Sequence, residues 1–117
     1  MTEEARLFKA LSDPIRLRLA VLLVIHGETC VCDLAAALDE PEYKISRHLG
    51  VLRAVGLVTA RRKGTWMHYT FTPARSAFEA ALHRCLQTLE SEHPAVTDDL
   101  QRLRHHMATK GDNCLDG

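Results

Sequence analysis

A mainly helical chain carrying one β-hairpin is the fold class that the sequence predicts, and three observations predict it. Two short helical stretches, Val31–Leu38 and one that starts at Pro41, are separated by Asp39-Glu40. A basic hairpin follows at once, Leu57–Arg62 and Trp66–Phe71 around Lys63-Gly64-Thr65. The segment Leu19–Ile25 is apolar nearly all round, as the central helix of a small core must be. Two helices joined by a tight turn and followed by a basic hairpin make a winged helix-turn-helix, a far sharper pattern than either part alone.

Each element has a local cause. Glu3–Leu11 is amphipathic, with Ala5, Leu7, Phe8 and Leu11 on one side. Ser12-Asp13-Pro14 supplies a capping side chain and a proline at the first helical position, so a second helix starts there and stops at His26-Gly27. Val31, Leu34, Ala35 and Leu38 share one face of a short third helix; Ile45, Leu49 and Leu52 share one face of a fourth that ends near Gly56. Met67, Tyr69 and Phe71 alternate with Trp66, His68 and Thr70, which packs one face of the second strand. A long helix is expected from Pro73 to about Ser91, and Val96, Leu100, Leu103 and Met107 mark a last one. The domain, with its dimerisation helices, is expected to cover 1–108, leaving 109–117 as a flexible tail.

The chain of 117 residues is 46% hydrophobic and 26% charged, which fits one globular domain. Its longest apolar run is far short of the roughly 20 residues that span a bilayer, and the charged first ten residues do not form a signal peptide. A cytoplasmic location follows as an expectation, and in a reducing compartment the four cysteines read as metal ligands or packed thiols rather than disulfides. Net charge is zero, but from Glu42 to Lys63 six Lys/Arg face one acid, and from Leu86 onward six acids face three bases. That asymmetry fits a local phosphate-binding surface and excludes a diffuse polycation.

On a helical wheel the fourth helix turns Tyr43, Arg47, Gly50 and Ala54 away from its apolar stripe, with Lys44 and Ser46 on the flanks. Long polar side chains at this end can reach base edges of double-stranded DNA, while the small residues let the helix sit close. Arg47 is the candidate for a bidentate guanine contact; Lys44 and Ser46 suit phosphates. His48 lies at the edge of the stripe, so DNA contact and packing between helices are equally open to it. Arg61, Arg62 and Lys63 fit a wing along the backbone.

Cys30-Val31-Cys32 carries the remaining chemistry. Soft thiolates select soft or borderline ions, among them arsenite-type metalloids, cadmium, lead, copper(I) and zinc. A position at the start of the third helix favours the thiolate. In a regular helix their side chains stand about 200° apart, which a shared ion cannot bridge, so binding is expected to unwind or hold open the first turn of the third helix. That movement would displace the reading helix. Leu82, Leu86 and Leu89 offer more apolar surface than one core needs, which points to a homodimer. Cys85 falls in the same stripe and reads as a packed thiol; His83 and His93 read as solvated.

In order and wording, Leu11-Ser-Asp-Pro-Ile-Arg-Leu-Arg18, Cys30-Val-Cys-Asp-Leu34, Ile45-Ser-Arg-His-Leu49 and Leu52-Arg-Ala-Val-Gly-Leu-Val58 resemble the ArsR/SmtB family of metal-responsive winged-helix repressors, over roughly residues 5 to 90. The resemblance is closest to the arsenical-resistance branch. It implies a dimer on two operator half-sites, with the first and fifth helices, hence Leu7, Leu82, Leu86 and Leu89, at the interface. It implies repression without any cofactor and release when As(III) or Sb(III) binds Cys30 and Cys32. The third cysteine of some arsenical sensors is replaced here by Ala35, so the third ligand stays open, Cys114 being a candidate. The Asp-x-His of zinc and nickel sensors is replaced by Ala81-Leu-His83. Sensing of Cd(II), Pb(II), Zn(II) or thiol oxidation remains an alternative within the class. A thiol–disulfide enzyme is a remote one, since such enzymes carry C-x-x-C beside a βαβ pattern. No other catalytic constellation and no small organic substrate is expected.

Overall fold

The computed structural model describes residues 1–110, built as α1 (Thr2–Ala10), α2 (Pro14–His26), β1 (Thr29–Cys30), α3 (Val31–Leu38), α4 (Glu42–Ala54), β2 (Val58–Lys63), β3 (Trp66–Phe71), α5 (Ala77–Glu92) and α6 (Pro94–Lys110). The mainly helical winged arrangement is the one expected. Helix α6 runs through Lys110, two residues past the expected end of the domain; the rest of the expected tail, Cys114 included, lies outside the described residues. Among the described residues no helix is long and apolar enough to cross a membrane.

Helix α2 is the hub. Asp13 caps it, its carboxylate accepting from the backbone N–H of Ile15 at 2.8 Å and of Arg16 at 3.1 Å, and Gly27 ends it at φ 95°, where a side chain would be strained. Leu19, Ala20, Val21, Leu22 and Leu23 are all buried, and α4, α5, α6 and β3 pack against this helix. Ile45, Leu49 and Leu52 seat α4 on this core with no exposed surface, each burial worth about 1.5–3 kcal/mol.

Three local expectations shift. Pro41 is the extended N-cap of α4 (φ −63°, ψ 147°) rather than its first helical residue. Helix α5 starts at Ala77 instead of Pro73, because the Ser76 hydroxyl caps it by accepting from the Glu79 N–H at 3.1 Å. The hairpin turn is the two residues Gly64-Thr65, Gly64 adopting φ 63°, and Lys63 belongs to β2.

Strand β1 has no signature in the sequence, being two residues long. It pairs antiparallel with β3, Thr29 opposite Tyr69 and Cys30 opposite His68, which gives the sheet order β1-β3-β2. The wing is therefore joined by backbone hydrogen bonds to the segment that leads into α3. On the other side of α3 lies α6. Asp99, buried, accepts from Arg18 at 2.7 and 2.9 Å and from Arg102 at 2.6 Å, and the Arg102 Nε donates to the Ala37 carbonyl at 2.7 Å.

Candidate functional site

Helix α4 presents Tyr43, Ser46 and Arg47 outward, Tyr43 being 73% exposed, and Lys44 sits half-buried against Glu40 at 3.1 Å. Among the described residues Arg47 makes no hydrogen bond or ion pair, so its guanidinium is unclaimed by the chain itself. Gly50 and Ala54 leave the same face shallow, as close approach to a duplex requires. His48 is set back from this surface. It is only 8% exposed, with Arg16 NH1 3.3 Å from its Nδ1, and burial holds the imidazole below its usual pKa. Of the two readings the sequence left open, this burial favours packing between α2 and α4.

The wing bases differ from one another in a way their adjacency hides. Alternation along β2 sends Arg61 and Lys63 to one face and Arg62 to the other. Glu28 takes the first two: Arg61 Nε donates to Oε2 at 2.6 Å and Arg61 NH2 to Oε1 at 2.9 Å, while Lys63 Nζ lies 2.8 Å from Oε1. Hydrogen bonds from Arg61, then Lys63, hold the Glu28 carboxyl at a pKa of about 2. Arg62 is exposed and engaged by no such partner among the described residues. Glu28 was not singled out from the sequence; the available signal was an acid two residues before Cys30.

The thiol pair does not have the geometry from which unwinding was expected. Cys30 is the last residue of β1 and the N-cap of α3, with extended dihedrals (φ −67°, ψ 144°), so only Cys32 is helical. Outside the helix its side chain is free to turn inward. Its Sγ accepts from the Cys32 N–H at 3.4 Å and lies 2.8 Å from the Cys32 Sγ. Two thiolates around one ion, with bonds of about 2.3 Å in tetrahedral geometry, sit about 3.8 Å apart. The two sulfurs thus already lie close enough to share an ion while the first turn of α3 is formed. Asp33, buried, brings a carboxylate oxygen within 4.8 Å of both sulfurs. That carboxylate also accepts from His106 Nδ1 of α6 at 2.9 Å. Neither Asp33 nor His106 was read from the sequence as part of the site.

The remaining expected residues scatter. Leu7, Leu82 and Leu86 are buried within the single chain and Leu89 partly so, because α1, α2 and α5 use them in the chain's own core. What this surface offers instead is Phe8, 55% exposed and set edge-on to Phe78 at 5.6 Å. Cys85 is exposed and not packed: it lies beside the Leu82/Leu86 stripe, outside it. His83 is half-buried, edge-on to Phe71 at 5.0 Å, and His93 is exposed.

A helix-turn-helix with an outward arginine, a joined wing and a close thiol pair define a winged-helix regulator with a candidate thiol site. Residues 13–60 match the model of the bacterial regulatory protein arsR family. The chain is 48% identical over 77 residues to the arsenical resistance operon repressor of Escherichia coli, covering 66% of each protein. It is 39% identical over 99 residues to the arsenic resistance transcriptional regulator ArsR2 of Pseudomonas putida, covering 84% of each. Among solved structures it is similar to the transcriptional repressor BigR of Xylella fastidiosa: TM-score 0.62, 36% identity, 75% of this chain and 83% of that one. The chain belongs to the arsR family of DNA-binding transcription regulators.

Proposed function

We propose that this chain is a homodimeric repressor that holds operator DNA through α4 and the wing, and releases it when As(III) or Sb(III) bridges Cys30 and Cys32. The observation that carries the reading is the 2.8 Å approach of the two sulfurs at the junction of β1 and α3. The two thiols at this junction can exchange two hydroxyls of As(OH)3, their protons leaving with the hydroxyls, to give a dithiolate hydroxide and two waters. The pair then opens towards the sulfur–sulfur separation of a shared ion. Cys30 is hydrogen-bonded through β1 to the wing strand, and α3 leads through Asp39–Pro41 into α4, so both reading elements border the residue that moves. Sensor and reader are coupled when the two forms of the pair favour different placements of those elements.

A second reading has its own observation. The Asp33 carboxylate within 4.8 Å of both sulfurs is an oxygen donor, which suits Cd(II), Pb(II) or Zn(II) better than a metalloid. Operator binding by the purified protein, titrated in parallel with As(III), Sb(III), Cd(II), Pb(II) and Zn(II), separates the two. Cys30→Ser and Cys32→Ser are expected to bind operator as tightly as the parent and to stay bound as As(III) is added; Cys85→Ser is expected to respond normally. Release by As(III) from the two serine variants, or tight As(III) binding with unchanged DNA affinity, would defeat the proposal. A coupling of about 1–3 kcal/mol is the size expected.

A further inference from the structure

The chain's own Glu28 occupies the positions on Arg61 and Lys63 that a DNA phosphate would need. Its two oxygens take the Nε and NH2 of Arg61 at 2.6 and 2.9 Å, the same side-on fork with which an arginine grips a phosphate, and the Lys63 Nζ at 2.8 Å. The Thr70 hydroxyl adds a contact at 3.4 Å to Oε2. Glu28 is anchored by the backbone that follows it, since Thr29 and Cys30 form β1 and pair with β3. Arg61 is still 64% exposed, so a phosphate can approach the same guanidinium from solvent.

We propose that Glu28 acts as a resident substitute for phosphate, withholding Arg61 and Lys63 from the duplex and leaving Arg62 as the wing's effective base. An anion held by a strand competes with the backbone phosphates for every encounter, whereas Arg62 on the opposite face of β2 has no such rival among the described residues. The consequence is a wing weaker than its sequence, Arg-Arg-Lys, implies. A regulator that must let go of its site gains from that, because two unopposed bases would add affinity on every DNA sequence without adding discrimination.

The salt dependence of DNA binding reads the number of phosphates neutralised, with a slope of about −0.9 for each. Glu28→Gln keeps the size of the side chain and removes the anion. Binding to operator and to unrelated duplex is expected to gain about 0.9–1.8 in salt slope, one step of 0.9 for each base released. At 0.1 M salt each step corresponds to about eightfold tighter binding. In the parent, Arg61→Ala is expected to leave the slope unchanged; in the Glu28→Gln background the same substitution should remove one step. A Glu28→Gln chain that melts like the parent but binds with the parent's slope, or more weakly, overturns the proposal. So does an Arg61→Ala substitution in the parent that lowers the slope by about 0.9, whether or not Glu28→Gln folds.

Discussion

Helix α4 and the wing carry the same kind of charge and hold it in opposite ways. Arg47 projects from a helix whose other face is locked into the core by Ile45, Leu49 and Leu52, and no residue of the described chain competes for it. Arg61 and Lys63 stand on β2, an edge strand of the three-stranded sheet, and are already bound to Glu28. Position and availability are thus separate properties. A base with no ion-pair partner is expected to be open to a phosphate or base edge, while a base fixed by an ion pair must first leave its partner.

The sharpest way to break this contrast is to loosen the packing under α4. Leu49→Ala is expected to cost about 2–5 kcal/mol of folding stability, because a fully buried leucine leaves a cavity that the neighbouring helices cannot close. Denaturant unfolding measures it. A loss under 1 kcal/mol would mean that α4 is not seated by its stripe.

Next in size is the reading residue itself. Arg47→Ala should weaken operator binding by about 1–3 kcal/mol and relax preference at one base pair, measured on a panel of single-base operator variants. Arg62→Ala should weaken all sequences alike and flatten the salt slope by about 0.9. Lys63→Ala, whose ammonium already sits on Glu28, should do less than Arg62→Ala. If Lys63→Ala proves the more damaging of the two wing substitutions, the contrast between held and available bases fails.

The smallest effect is one of pH. The Glu28 carboxyl titrates at about 2 in the folded chain against 4.5 for the free group, so the folded state favours its ionised form. Its contribution to stability is complete above about 4.5 and is lost as pH falls from there towards 2. Glu28 is one-quarter exposed, so solvent screens the pair and the effect is modest. Melting temperature against pH should fall less steeply for Glu28→Gln than for the parent over that window; parallel curves would show that the clamp contributes nothing to folding.

Much of this molecule was legible in its sequence, for reasons that are local. Apolar spacing set the stripes of α3 and α4, Asp13-Pro14 and Gly27 bounded α2, and Gly64 turned the hairpin; each is decided by residues within a turn or two of chain. The outward face of Arg47 and the closeness of Cys30 to Cys32 in sequence were equally visible. How the two sulfurs meet was not, because it depends on Cys30 lying outside α3, and it lies outside because Thr29 and Cys30 pair with Tyr69 and His68 some 40 residues on (69 against 29). The same non-local pairing decides which wing bases are held, through a carboxylate 33 residues from Arg61. Asp33 meets His106 across 73 residues, and His48 turns inward only because α2 supplies Arg16 and a buried surface beside it. Periodicity records which face of an element is apolar. Which partner that face, or an ion on its edge, will meet is a property of the closed chain, and only the tertiary structure decided it.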